Sequence, residues 1–203
     1  MTTDIAEGLR RLKTGALLIF LSQALLTISS IIVIVGLVFR KAVTVPFAIT
    51  ILLSTILGLV GLIQFFIATV HLKRANPNYV IGSVGLAIQL VGVVPMIIFK
   101  LPTILALINT VTNVNRAIGI VIYLIFSAKM IFIVGGILII IGAILFGMML
   151  IRMDEIDSGF KTAGTIYLIG AVLNFVFGFI GNILTMISSI IIYRTSSRVL
   201  LNV

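Results

Sequence analysis

Long runs of apolar residues, separated by short polar stretches, make up nearly the whole chain. Each run holds about 20 or more residues, the length that an α-helix needs to cross roughly 30 Å of hydrocarbon. The pattern predicts five transmembrane helices, over residues 15–39, 46–72, 79–99, 129–151 and 162–193. We therefore expect an all-α, polytopic transmembrane helix bundle, with residues 1–203 forming a single integral-membrane domain.

A short polar and apolar pattern precedes the first run. Residues 4–13 predict an amphipathic helix at the membrane surface, with Ile5, Leu9 and Leu12 as one apolar stripe. The apolar run that follows is longer than the core of a signal peptide, so we expect an uncleaved first span.

Residues 103–127 allow two interpretations. Their ends are apolar, their middle is polar, and Lys100-Leu101-Pro102 predicts a tight turn before them. The segment is either a sixth crossing or an amphipathic helix on the surface. Six crossings place more Lys and Arg on the side of the termini, whereas five divide them evenly. The preference for basic residues on the inner side therefore favours six crossings with both termini cytoplasmic.

Acidic residues are absent from most of the chain. No Asp or Glu lies between Glu7 and Asp154, in a protein that is 61% hydrophobic and only 9% charged. Carboxylates are costly in lipid, so this absence agrees with membrane embedding and counts against proton- or cation-coupled transport. The net charge of +9 comes from bases that flank apolar runs, which indicates membrane lipid headgroups as partners and not nucleic acid.

Cysteine is absent, which excludes disulfides and thiolate metal sites. The lack of Cys and the abundance of Ile indicate a thermophilic host. Tyrosines near the ends of apolar runs predict an interfacial belt, at Tyr79, Tyr123, Tyr167 and Tyr193.

Small residues recur at spacings of three, four and seven, which places them on one face of each helix. In lipid such faces let two helix backbones approach closely. In the first span the stripe is Gly15, Ser22, Ser29 and Gly36. The helix-packing face of two later spans comprises Gly82, Gly85, Gln89, Gly92, Gly170, Asn174, Gly178 and Gly181.

Four polar residues form the sharpest constellation. Asn109, Thr112, Asn113 and Arg116 follow the spacing of one helical face. If residues 103–127 cross the bilayer, no acid in the apolar regions can neutralise Arg116. A candidate anion, headgroup or cavity site follows from this, with a surface helix or an amide-satisfied stripe as the alternative.

Catalytic and metal-binding patterns are missing from the sequence. His71 is the only histidine, so the usual zinc site cannot form, and we expect no cofactor. Asp154, Glu155 and Asp157 lack the spacing of a calcium loop, and we expect a solvated loop with an Asp157–Lys161 pair.

Three segments carry a resemblance to a known family: EGLRRLKTGALL (Glu7–Leu18), YVIGSVGLAIQLVG (Tyr79–Gly92) and the stretch Met153–Gly181. Together and in this order they resemble an archaeal, largely crenarchaeal, family of multi-pass membrane proteins of unknown function. The resemblance implies a location in the archaeal plasma membrane, and it implies no catalytic residue.

These patterns leave three functional hypotheses. The first is a non-catalytic structural or accessory subunit that packs with other membrane protein subunits or with itself. The second is a small transporter or channel for a neutral or anionic solute, lined by Asn109–Arg116. The third is a lipid-acting membrane enzyme, for which we find no acid–base pair.

Overall fold

Six α-helices make up the described part of the protein. The computed structural model describes residues 3–39, 44–109 and 129–202, with side chains for 3–31, 46, 48–98, 133–174 and 177–202. Its helices are α1 (Thr3–Phe39), α2 (Thr44–Ala75), α3 (Val80–Asn109), α4 (Lys129–Arg152), α5 (Ser158–Val176) and α6 (Gly178–Leu201), with 3-10 turns at Pro77–Tyr79 and Met153–Glu155. Only helices and short turns occur within the described ranges, which confirms the all-α class.

Most of the helices are long and apolar enough to span a membrane. Five stretches are long and apolar enough to cross a membrane: Thr3–Ile31, Ala48–Ala75, Pro77–Ile98, Ile133–Glu155 and Gly178–Leu201. Exposed Ile, Leu and Val side chains lie on the outside of all six helices. This outer surface is chemically matched to lipid tails, which confirms a multi-pass membrane protein.

The helices pack in chain order into a closed ring. Each helix contacts the next along the chain, and α6 returns to contact α1. Neighbours are antiparallel, because residues early in one helix meet residues late in the other: Gly8 lies against Leu72, and Gly92 against Gly135. Both termini therefore lie at one end of the bundle, which we name the terminal end.

Serine hydroxyls join α1 to α2. Ser22 Oγ donates to the carbonyl of Ser54, and Ser54 Oγ donates to the carbonyl of Ser22, both at 2.9 Å. Ser29 Oγ lies 2.7 Å from Thr50 Oγ1 one step further along the seam. Three residues of the predicted stripe in the first span therefore face α2: Gly15, Ser22 and Ser29. The fourth, Gly36, lies beyond the residues whose side chains are described.

Glycine pairs form two other seams. A methyl group on Gly85 would lie 2.7 Å from the carbonyl oxygen of Gly142, so the α3 and α4 backbones are in direct contact. A methyl group on Gly164 would lie equally close to the carbonyl oxygen of Gly147, between α4 and α5. Such approaches gain dispersion contacts that replace the missing hydrophobic drive in lipid.

Aromatic side chains pack together inside the ring. The Phe65 and Phe146 rings stack with centroids 4.9 Å apart, and Phe146 meets Tyr167 edge-on at 5.3 Å. Phe65 belongs to α2 and Phe146 to α4, which are not neighbours in the ring, so their contact spans the interior. Tyr79 and Tyr167 are buried in this core, and their predicted place in an interfacial belt is therefore wrong.

The segment 162–193, expected as one crossing, is two helices. Phe177 has φ −133° and ψ 72°, outside the helical region, and ends α5. The chain then reverses, because Ser188 Oγ on α6 donates to the carbonyl of Ala163 on α5 at 2.8 Å. The single span is wrong, and its two halves form an antiparallel hairpin whose backbones meet at Gly181 and Asn174.

The N-terminal segment also differs from its prediction. Residues 4–13 are the first turns of α1 and not a separate surface helix. Leu9 and Leu12 are fully buried, so the apolar stripe packs into the bundle instead of onto the membrane.

The turn predicted at Lys100–Pro102 is wrong. Helix α3 continues through Pro102 to Asn109, since proline costs one backbone hydrogen bond and does not oblige a helix in lipid to end. Residues 110–128, with most of the expected sixth crossing, lie outside the described residues. The antiparallel packing of α3 and α4 places Asn109 and Lys129 at the same end of the bundle.

We expect alanine to be tolerated at one glycine of α4 and not at another. A methyl group on Gly142 meets the Gly85 carbonyl oxygen and lies 2.7 Å from Gln89 Cβ, whereas on Gly136 its nearest neighbour is Met96 Cε at 4.0 Å. Gly142→Ala should lower the free energy of unfolding in mixed micelles by about 1–3 kcal/mol. Gly136→Ala is the matched control and should change it by less than about 0.5 kcal/mol. Equal effects would contradict the α3–α4 contact.

The hairpin makes a prediction about sidedness. Single cysteines at Ser158 and Asn202 should react with an impermeant thiol reagent from the same side of the membrane, because both residues lie at the terminal end. A cysteine at Phe177 should react from the opposite side only. One continuous crossing would instead place Ser158 and Asn202 on opposite sides.

Candidate functional site

Charged side chains gather at the terminal end. Every described acidic and basic side chain lies there. They belong to the first turns of α1, the last turns of α2 and α6, or the region from the end of α4 to the first turn of α5. Their separation from the apolar remainder follows from the cost of burying charge in lipid. Any chemistry of the described residues that depends on charge must therefore take place at this end.

One group of polar contacts ties α1 to α2. Arg11 Nε donates to Glu7 at 2.9 Å, and its Nη1 donates to Gln64 Oε1 of α2 at 3.3 Å. His71 Nδ1 lies 3.3 Å from Asp4 Oδ1. The only histidine thus makes a contact between two helix ends, as expected for a polar residue at the interface.

Asp157 organises the opposite side of this end. Its Oδ1 accepts from the Gly159 N–H at 2.8 Å, which caps the first turn of α5. Arg198 of α6 donates to the same carboxylate through Nε, at 3.0 Å, and through Nη2. Burial opposes ionisation, but the Gly159 N–H and the Arg198 guanidinium outweigh it and lower the pKa of Asp157.

These contacts correct two expectations. Asp157 pairs with Arg198, while Lys161 Nζ lies 3.5 Å from Asp154, so the expected Asp157–Lys161 pair is wrong. The favoured six-crossing arrangement also placed residues 152–161 opposite the termini. The Asp157–Arg198 bond shows instead that residues 152–161 lie at the terminal end. The chain crosses the bundle twice after them, in α5 and again in α6, and so returns to that end.

A groove opens between α5 and α6 beside Asp157. It has a volume of about 400 Å³ and is lined by Gly159, Thr162, Ile191, Arg194, Thr195 and Arg198. Within the described part of the chain, Arg194 makes no ion pair, and the Asp157 carboxylate beside the groove is held by Arg198. Two guanidiniums and one carboxylate leave the groove positively charged, so it can attract an anion.

The predicted polar constellation lies almost entirely outside the described residues. Asn109 is the last residue of α3, and Thr112, Asn113 and Arg116 lie outside the described residues. The anion, headgroup or cavity site expected there stays a prediction.

The predicted packing residues fall at different places. Gly82, Gly85 and Gly92 lie against α4, and Gly170 and Gly181 lie within the α5–α6 hairpin. Gln89 is buried in the α3–α4 seam, beside Gly142. Asn174 is exposed although its backbone contacts Gly181, and Gly178 has space around it.

The groove was missed at the level of sequence. Thr162 and Arg194 were expected at opposite ends of one span, and only the reversal at Phe177 brings them together. The acidic cluster also takes no metal-binding form: within the described ranges, no three His, Cys, Asp or Glu side chains are grouped so that they could hold a metal ion.

Comparison with known proteins gives no relative for this chain. No protein-family model, no curated protein and no solved structure matches it.

We predict that Asp157 stabilises the bundle in two separable ways. Asp157→Ala removes the cap and the Arg198 pair and should lower the free energy of unfolding by about 1–2 kcal/mol. Asp157→Asn keeps a good capping residue and should cost roughly 0.5 kcal/mol, because Arg198 is 59% exposed and the pair is screened.

The same pair sets a pH dependence. Because the folded-state pKa of Asp157 is lowered, its ionic stabilisation is complete above the usual carboxylate pKa and is lost as the pH falls through the lowered value. Unfolding curves in mixed micelles should therefore differ between the native chain and Asp157→Asn at neutral pH. The difference should begin to shrink near the ordinary aspartate pKa of about 4 and vanish only below the lowered pKa of Asp157. A difference that is the same at every pH would contradict the ion pair.

Proposed function

We propose that this chain is a non-catalytic integral membrane protein that serves as a structural or accessory subunit of a larger membrane complex. The observation that carries the proposal is the aromatic packing inside the helix ring. Phe65, Phe146 and Tyr167 meet across it from three different helices. This packing occupies the interior at that level of the ring, so we propose that the chain acts through its outer surfaces.

The distribution of charge supports a non-catalytic role. General acid–base catalysis needs a titratable pair positioned beside a substrate cavity. In the described part of the chain the acidic residues are confined to the terminal end, where Asp4, Glu7, Asp154 and Asp157 each contact a basic partner. Two of these carboxylates, Asp4 and Asp157, join the ends of different helices.

The outer surface supports a role in assembly. Ile, Leu and Val side chains are exposed on every helix, so the ring can lie against lipid or against the helices of another subunit around its whole circumference. Ion pairs among its own residues stabilise the terminal end, which leaves the lateral surface as the larger area for contact.

We further propose that the chain lies in the plasma membrane of an archaeal cell, with both termini facing the cytoplasm. The terminal end carries nine of the 14 Lys and Arg: Arg10, Arg11, Lys13, Lys73, Arg74, Arg152, Lys161, Arg194 and Arg198. An excess of basic residues marks the cytoplasmic side of membrane proteins. The archaeal origin rests on the resemblance of the three glycine-containing segments alone.

The proposal predicts a hetero-oligomer in native membranes. Extraction in mild detergent followed by native mass spectrometry should give a particle that contains other membrane subunits in fixed stoichiometry with this chain. A particle that contains only this chain and lipid would contradict the proposal.

A further inference from the structure

We propose that the groove between α5 and α6 binds the phosphate of an anionic membrane lipid, with Arg194 as its principal ligand. This inference is independent of whether the chain is an accessory subunit. It rests on the charge of the groove, its depth in the membrane and the nature of its walls.

Arg194 is free to bind a ligand. Within the described residues no carboxylate lies within ion-pair distance of its guanidinium, and its side chain is exposed in the groove. Arg198 lies one helical turn away and is bound to Asp157, which leaves part of its guanidinium for a second contact. A guanidinium can form two parallel hydrogen bonds to a phosphate, which makes arginine the preferred residue for this group.

Among the described side chains that bond to lining residues of the groove, the Asp157 carboxylate is the group that opposes an anion. It already accepts from Gly159 and from Arg198, and its lowered pKa keeps it ionised and bound to them. The two arginines and this carboxylate sum to one positive charge, so a phosphate diester with a single negative charge would neutralise the groove. Thr162 lies in the lining and supplies a hydroxyl donor on the α5 side.

The depth of Arg194 suits a lipid headgroup. Along α6 it lies about 24 Å from Gly178 at the tip of the hairpin. Lys13 of α1 reaches the same level, because its Nζ lies 5.1 Å from the centre of the Tyr193 ring. Lys161 of α5 follows Gly159, which contacts Thr195. Basic residues on three helices at one level mark the region where lipid phosphates lie.

The walls of the groove suit a lipid and not a free ion alone. Ile191 forms its apolar side, and Ile187 and Ile190 are exposed on α6 toward the middle of the membrane. The hydrocarbon chain of a lipid can continue from the groove along this surface. The volume of about 400 Å³ falls in the range of roughly 300–1,000 Å³ that is usual for ligand sites.

The test is native mass spectrometry of the full chain released from mixed micelles of phosphatidylglycerol and phosphatidylcholine. The native chain should retain phosphatidylglycerol in preference to phosphatidylcholine. Arg194→Gln removes one charge and its paired hydrogen bonds and should weaken phosphatidylglycerol retention about tenfold or more. Thr162→Val should weaken it by a smaller factor, and it serves as the test variant if Arg194→Gln does not fold.

The matched control is Arg74→Gln. It removes the same charge from the same end of the bundle, outside the groove, and should leave retention as in the native chain. An equal loss in Arg74→Gln and Arg194→Gln would show diffuse attraction and overturn the site.

A second control distinguishes the source of the phosphate. Millimolar inorganic phosphate should leave lipid retention unchanged, since it lacks the acyl chain. Displacement of the lipid by inorganic phosphate would overturn the lipid as ligand, and retention unchanged in both Arg194→Gln and Thr162→Val would overturn the groove itself.

Discussion

Direct contact between helix backbones is the constraint on which the remainder of this structure depends. Lipid tails solvate leucine and isoleucine as well as a protein interior does, so helices gain little by hiding apolar side chains from lipid. They gain dispersion contacts and hydrogen bonds when their backbones approach. Gly85 against Gly142, Gly164 against Gly147 and Gly181 against Asn174 allow that approach at three seams of the ring. The reciprocal bonds of Ser22 and Ser54 add polar contacts at a fourth.

The sequence predicts the membrane class and most of the helix cores, because apolar length and small-residue spacing are local properties of the chain. It also predicts which face of the first helix meets its neighbour. It misses the reversal at Phe177, because isoleucine and phenylalanine runs look alike on both sides of it. The length of 162–193 was the available signal. At 1.5 Å per residue it would extend about 48 Å, well beyond one crossing.

That one missed reversal explains why the candidate site could be predicted only in part. Composition predicts that basic residues near span ends meet anionic headgroups, and this holds for any arrangement of the helices. The partners of each base depend on which helix ends share a side. Asp157 and Arg198 are 41 residues apart and were expected across the membrane from each other. Only the antiparallel hairpin gives Asp157 its partner and leaves Arg194 alone in a groove.

Closure of the ring is the central claim, and it depends on the contact between the first and last helices. Thr27 Oγ1 of α1 lies 4.0 Å from Met186 Sδ of α6. The native chain has no cysteine, so a variant with Thr27→Cys and Met186→Cys carries one reactive pair. Mild oxidation in native membranes, followed by mass spectrometry of the digested protein, should give an intramolecular disulfide between positions 27 and 186. Free thiols at both positions, or disulfides only between separate chains, would contradict the closed ring.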